Sequence, residues 1–117
     1  IHAPLNPATK NFVGWEELSL MKRDAILLNL GRGAIVDQEA LARALLEEKI
    51  GGAGLDVLTV EPMAEDNPLL AIQDSTRLII TPHIAWATTE ARQRCVDEVV
   101  QNIRAYLQNR ERNCVTK

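Results

Sequence analysis

Three short apolar runs limit what this chain can fold into: AILLNL at residues 25–30, GAGLDVL at 52–58 and RLIIT at 77–81. The first is broken only by Asn29 and reads as a strand buried on both faces. Between the runs the apolar spacing changes to that of a helix. Residues 15–22 put Trp15, Leu18 and Met21 on one face, with Lys22 and Arg23 where cations suit the helix dipole. Asp37 stands as an N-cap before Glu39 and the apolar positions Ala40, Leu41, Ala44 and Leu45, and Gly51-Gly52 closes that helix. Thr88 caps a last helix whose stripe runs from Ala91 through Cys95, Val99 and Ile103 to Leu107. Strands alternating with helices predict an α/β fold of parallel units with right-handed crossovers. Ile1 to Leu5, closed by Asn6-Pro7, reads as the tail of one further strand.

Composition narrows the function. The 117 residues are one domain's worth, 46% hydrophobic and 25% charged, enough to bury a core. A net charge of −3 without a basic tract argues against nucleic acid or a membrane surface. No apolar run approaches the roughly 20 residues of a membrane span. Two cysteines, Cys95 and Cys114, make no disulfide framework, so they read as buried or idle thiols and the expected compartment is the cytoplasm.

Parallel strands end along one edge of their sheet, and in open α/β sheets ligands bind outside that edge. Past the first run stands Arg32, past the second Asp56 and Glu61, past the third His83. Strands about 4.8 Å apart would bring these side chains to one small ligand. A guanidinium grips a carboxylate bidentately, and a histidine gives or takes a proton near neutrality. A carboxylate beside the ring favours its protonated form and selects the nitrogen that faces a substrate. Such a set can hold a 2-oxo acid and protonate its carbonyl, but the hydride must come from a cofactor. Gly31 and Gly33 let the backbone turn and approach a ligand, leaving Arg32 as the side chain that projects there. No metal-ligand cluster is expected.

These segments resemble the D-isomer-specific 2-hydroxyacid dehydrogenases over essentially the whole chain. NLGRG at 29–33 is similar to the family's Asn-x-x-Arg-Gly, GAGLDVLTVEP at 52–62 to its aspartate and glutamate segment, and TPHIAWAT at 81–88 to its histidine segment. HAPLNPAT at 2–9 resembles the strand end that borders the adenosine. The resemblance implies that Arg32 binds and polarises the substrate, His83 is the acid/base and Glu61 is its partner. It further implies that Asp56 and His83 face the nicotinamide, that Pro4 and Leu30 line the cofactor, and that the cofactor is NAD or NADP. Trp86, after HIA, is similar to the glycerate dehydrogenase (hydroxypyruvate reductase) branch, and it stands between active-site wall and packing. His2 is expected to do no more than line the cofactor site.

The family's Gly-x-Gly-x-x-Gly turn, the acidic residue for the ribose and a separate substrate domain do not occur here. The resemblance therefore implies that residues 1–117 are the C-terminal half of a Rossmann-type cofactor domain with a long C-terminal helix, inactive alone. The intact parent would act as a homodimer on a hydroxypyruvate- or glyoxylate-type acid. The fragment would self-associate through an open sheet edge or pair with its missing half. A dinucleotide-sensing protein related to transcriptional corepressors is the alternative from another class.

Overall fold

The three apolar runs pair as one parallel sheet in the order β1 (Ile26–Asn29), β2 (Gly52–Leu55), β3 (Leu78–Ile80). Asn29 lies opposite Leu55, and Leu55 opposite Ile80, so all three strands end at one level. The computed structural model describes residues 1–115. The chain divides into two compact units, Ile1–Ile84 and the segment from Ala85 onward.

In the first unit, α1 (Trp15–Leu20) and α2 (Gln38–Leu46) pack on each other, and their apolar residues share one core with those of the sheet. Leu18, Leu27, Leu41, Leu45, Ile50 and Leu69 are its main buried members. α1 starts at Gly14, whose amide donates to Glu17 Oε2 at 3.0 Å, half of a capping box. α2 starts at Asp37, whose Oδ1 accepts from the amides of Glu39 and Ala40. The guanidinium of Arg43 stacks on Trp15, 3.7 Å from the ring centroid, and joins the two helices. α2 ends at Leu46, earlier than the Gly51-Gly52 stop. Glu48 takes the left-handed conformation (φ 54) and the Lys49 amide donates back to the Ala44 carbonyl.

Further expectations are corrected. Residues 1–5 form no strand; the Ile1 ammonium donates to the Leu28 carbonyl at 2.8 Å instead. β1 is buried on one face only: Leu27 and Asn29 are inside, whereas Ile26 and Leu28 are exposed. Strand side chains alternate, so the helix-covered side buries only every second residue. Leu28, Gly54 and Ile79 are cross-strand neighbours on the open face. The segment between β2 and β3 contains a short 3-10 helix, Pro68–Ala71, capped by Asn67, and its Leu69 enters the core beside α2.

The second unit is built on α3 (Thr89–Leu107), where the Thr88 hydroxyl accepts from the Ala91 amide at 3.2 Å. Its stripe is not buried. Val96, Val99, Val100, Ile103 and Leu107 are exposed, and Ala105 is its buried residue. The segment after the helix is tied back by Arg112 and Asn113, which both donate to Glu98 Oε2. Cys95 and Cys114 are free thiols, exposed rather than buried. Among the described residues no helix is long and apolar enough to cross a membrane.

Leu41 is fully buried in this core, whereas the Asp37 side chain caps the start of α2. Leu41→Ala should cost about 2–5 kcal/mol. Asp37→Ala should cost about 1 kcal/mol. Urea unfolding of both variants checks the order as well as the size.

Candidate active site

The end of β1 is closed by its own polar residue. Asn29 is buried, its Nδ2 donates to the Arg32 carbonyl at 3.0 Å, and its Oδ1 accepts from the Gly31 amide at 3.1 Å. This turn leaves Arg32 extended (φ −144, ψ 137) and exposed, with Nη1 donating to the Gly31 carbonyl at 2.8 Å. No glycine here has a positive φ. Gly33 is required by contact instead, because a Cβ would overlap the backbone of Leu58 and Thr59.

Leu58 belongs to the segment after β2, and its amide donates to Glu61 Oε1 at 2.8 Å. The other carboxylate oxygen, Oε2, lies 2.8 Å from His83 Nδ1. That is the hydrogen-bonding contact expected for side chains that follow neighbouring strands. Both groups are partly open to solvent, with side-chain exposures of 38% and 41%. The bond from His83, then the bond from the Leu58 amide, holds the Glu61 carboxyl below its ordinary value, against a small opposing effect of burial. The carboxylate is therefore charged at neutral pH.

His83 stands in the left-handed region, φ 54, which few residues other than glycine adopt. The turn is held on both sides. The His83 amide donates to the Thr81 carbonyl at 2.9 Å, and the Ile84 amide donates to Asp56 Oδ1 at 2.9 Å. Asp56 Oδ1 also accepts from the Thr81 hydroxyl at 2.5 Å. Asp56 is 3% exposed, so most of its surface faces protein.

Three hollows lie side by side along this edge. The smallest, about 250 Å³, is lined by Leu5, Arg32, Gly33, Leu58, Glu61 and His83. It shares Leu5 and Arg32 with a hollow of about 480 Å³ that also includes His2, Pro4, Leu30 and Gly31. It shares Leu58, Glu61 and His83 with one of about 440 Å³ that includes Asp56, Met63, Ile80 and Thr81. Arg32, Glu61 and His83 thus meet in one space, Pro4 and Leu30 in the next, and Asp56 at the far end. Among the described residues no cluster of His, Cys, Asp and Glu is suited to hold a metal ion.

Residues 1–85 match the family described as D-isomer specific 2-hydroxyacid dehydrogenase, NAD binding domain. The chain belongs to this family. Over 115 residues it is 47% identical to the glycerate dehydrogenase of Methylorubrum extorquens, covering 98% of this chain and 36% of that protein. It is 41% identical to the hydroxypyruvate reductase of Blautia hydrogenotrophica, covering 100% of this chain and 35% of that protein. The chain therefore spans about a third of the length of these curated relatives. Among solved structures, an acyclic imino acid reductase in complex with NADPH and D-Arg matches with TM-score 0.85. It is 36% identical over 98% of this chain and 36% of that one. The NAD complex of the D-isomer specific 2-hydroxyacid dehydrogenase from Lactobacillus delbrueckii ssp. bulgaricus matches with TM-score 0.82. Identity is 28%, over 99% of this chain and 38% of that one. The sheet and helices of this family member are thus the parallel, Rossmann-type arrangement of an NAD-binding domain. The corepressor-like alternative finds no support among these relatives.

Two residues that shape the edge were given no task by the sequence reading. Asn29 carried a signal, being the polar break in an apolar strand, and buried polar groups need partners. Thr81 carried none, because a threonine beside a strand is unremarkable until its hydroxyl is seen on Asp56.

The lowered Glu61 carboxyl supports the folded site above the ordinary carboxylate range, and that support fades as pH falls through the lowered value. Replacing His83 by leucine removes the largest cause. Side-chain carbonyl NMR should then show Glu61 titrating closer to its ordinary value; an unmoved titration would leave the Leu58 amide as the controlling contact.

Proposed function

We propose that the protein carrying this chain reduces a small 2-oxo acid of the hydroxypyruvate or glyoxylate type to the 2-hydroxy acid, using NADH or NADPH. The observation that carries the reading is the Glu61–His83 contact of 2.8 Å in the same hollow as Arg32. The relatives' names, glycerate dehydrogenase and hydroxypyruvate reductase, favour the substrate class.

The residues present fit a dinucleotide. The hollow beside Pro4, Leu30 and Gly31, about 480 Å³, falls within the roughly 300–1,000 Å³ of ligand clefts. The Ile1 and Ala3 carbonyls lie 3.3 and 3.4 Å from where a Gly31 Cβ would stand, so glycine keeps this floor open. Pro4 and Leu30 are the lining of that site in this reading, and Asp56 and His83 border its nicotinamide end. When bound, the reduced nicotinamide supplies the hydride that C2 of the substrate accepts.

The rest falls to the chain's own side chains. Arg32 grips the substrate carboxylate and draws charge onto the carbonyl oxygen. With Nδ1 engaged by Glu61, His83 passes its proton to that oxygen from Nε2. Glu61 fixes this ring orientation. In this reading residues 1–117 are the C-terminal part of the cofactor domain. The glycine-rich turn and the substrate domain lie in the remaining length that its relatives have. The intact protein is a cytoplasmic homodimer acting on small molecules.

A panel of 2-oxo acids with both reduced cofactors, run on the full-length protein, tests the assignment. Turnover of hydroxypyruvate or glyoxylate is expected, and a panel without turnover would overturn it. Arg32→Lys keeps the charge but loses the planar fork, so kcat/KM should fall about 10- to 1,000-fold while cofactor affinity changes far less. Glu61→Gln replaces the carboxylate that engages ring Nδ1 by a neutral amide. Then kcat/KM should fall about 10- to 100-fold, and unchanged turnover would remove Glu61 from its role.

A further inference from the structure

Arg32 is aimed by backbone. Its guanidinium hydrogen bond goes to the carbonyl of the preceding residue, Gly31, so it follows the turn that carries it. That turn is fixed from within the sheet. Asn29 is the last residue of β1, its carbonyl accepts from the Asp56 amide at 3.0 Å, and it is only 1% exposed. From this anchored position both ends of its side-chain amide are used on the turn, Nδ2 on the Arg32 carbonyl and Oδ1 on the Gly31 amide.

We propose that Asn29 is the positioning residue of Arg32: it sets the direction from which the guanidinium meets a substrate carboxylate. This rests on the substrate-binding role given to Arg32 above. The chemistry of the position is selective. A buried polar side chain in an apolar strand is costly unless its groups are paired, and here donor and acceptor are each matched to a backbone group. Aspartate would keep the acceptor for Gly31 but turn an oxygen toward the Arg32 carbonyl oxygen. Serine is too short to bridge both groups. An apolar residue would suit the strand and release the turn. Bidentate recognition depends on planar alignment, so a released turn weakens the grip on the carboxylate far more than it disturbs the cofactor hollow, which Gly31 borders only with backbone.

The test uses the full-length protein with Asn29→Asp and Asn29→Ser, each also combined with Arg32→Ala, after cooperative thermal unfolding has been recorded. In the otherwise native background, KM for hydroxypyruvate should rise about 10- to 100-fold. KM for the reduced cofactor should change far less. Calorimetric binding of oxamate, a 2-oxo acid analogue that is not reduced, should weaken by a similar factor. In the Arg32→Ala background the Asn29 substitutions should bring no further loss of kcat/KM, because a residue that acts through Arg32 has nothing left to aim. Should the buried carboxylate unfold Asn29→Asp, Asn29→Ser decides. Equal losses in both backgrounds, or an unchanged KM for hydroxypyruvate, would overturn the positioning role alone. A wild-type protein that reduces no 2-oxo acid would overturn the functional reading and this inference with it.

Discussion

At Gly33 the turn after β1 lies against the backbone of Leu58 and Thr59, in space that any side chain would claim. A series of contacts starts from that approach. Arg32 is the residue before it; the Leu58 amide holds Glu61; Glu61 holds His83. The three segments that follow the three strands are therefore linked in order, each through the one before. A side chain at position 33 would push the first two apart and carry the glutamate away from the arginine. Here glycine serves close approach, with no left-handed torsion to explain it.

The two carboxylates at the edge are kept in different surroundings. Glu61 is half open to solvent, and its bonds to His83 and Leu58 favour the anion. Asp56 is buried and joins the Thr81 hydroxyl to the Ile84 amide, on either side of His83. A histidine at φ 54 needs such over-determined surroundings, since a left-handed backbone costs of order 1–3 kcal/mol. Glu61 holds the ring through Nδ1, and Asp56 holds the backbone that presents it.

Much of this was legible before any coordinates. The order of Arg32, Asp56, Glu61 and His83 after successive apolar runs follows from parallel pairing alone, because a shared direction sends every strand end to one edge. The caps at Asp37 and Thr88 were readable because a short polar side chain before an apolar stripe has one common use. What escaped depends on contacts between segments distant in sequence. Leu69 belongs to no periodic apolar run, and only its 3-10 turn brings it to α2. Ile26 and Leu28 looked buried because composition does not say which face a helix will cover. Gly33 was read correctly as a place of close approach, but the partner is the protein's own Leu58.

Magnitudes separate the part of the molecule that sustains the fold from the part that would meet a ligand. A buried leucine such as Leu41 or Leu45 contributes roughly 1.5–3 kcal/mol. A surface ion pair such as Arg43–Glu47, at 57% and 42% side-chain exposure, contributes about 0–1 kcal/mol. The Glu61–His83 pair is nearly as open, so it belongs with the second class and adds little to holding the sheet together. The exposed groups can therefore be set by chemistry while the apolar core maintains the geometry. Asn29 and Asp56 are different, because each is a polar side chain within that core and each reaches out to a turn that carries an exposed group. Through these two residues the rigidity of the sheet passes to Arg32 and His83.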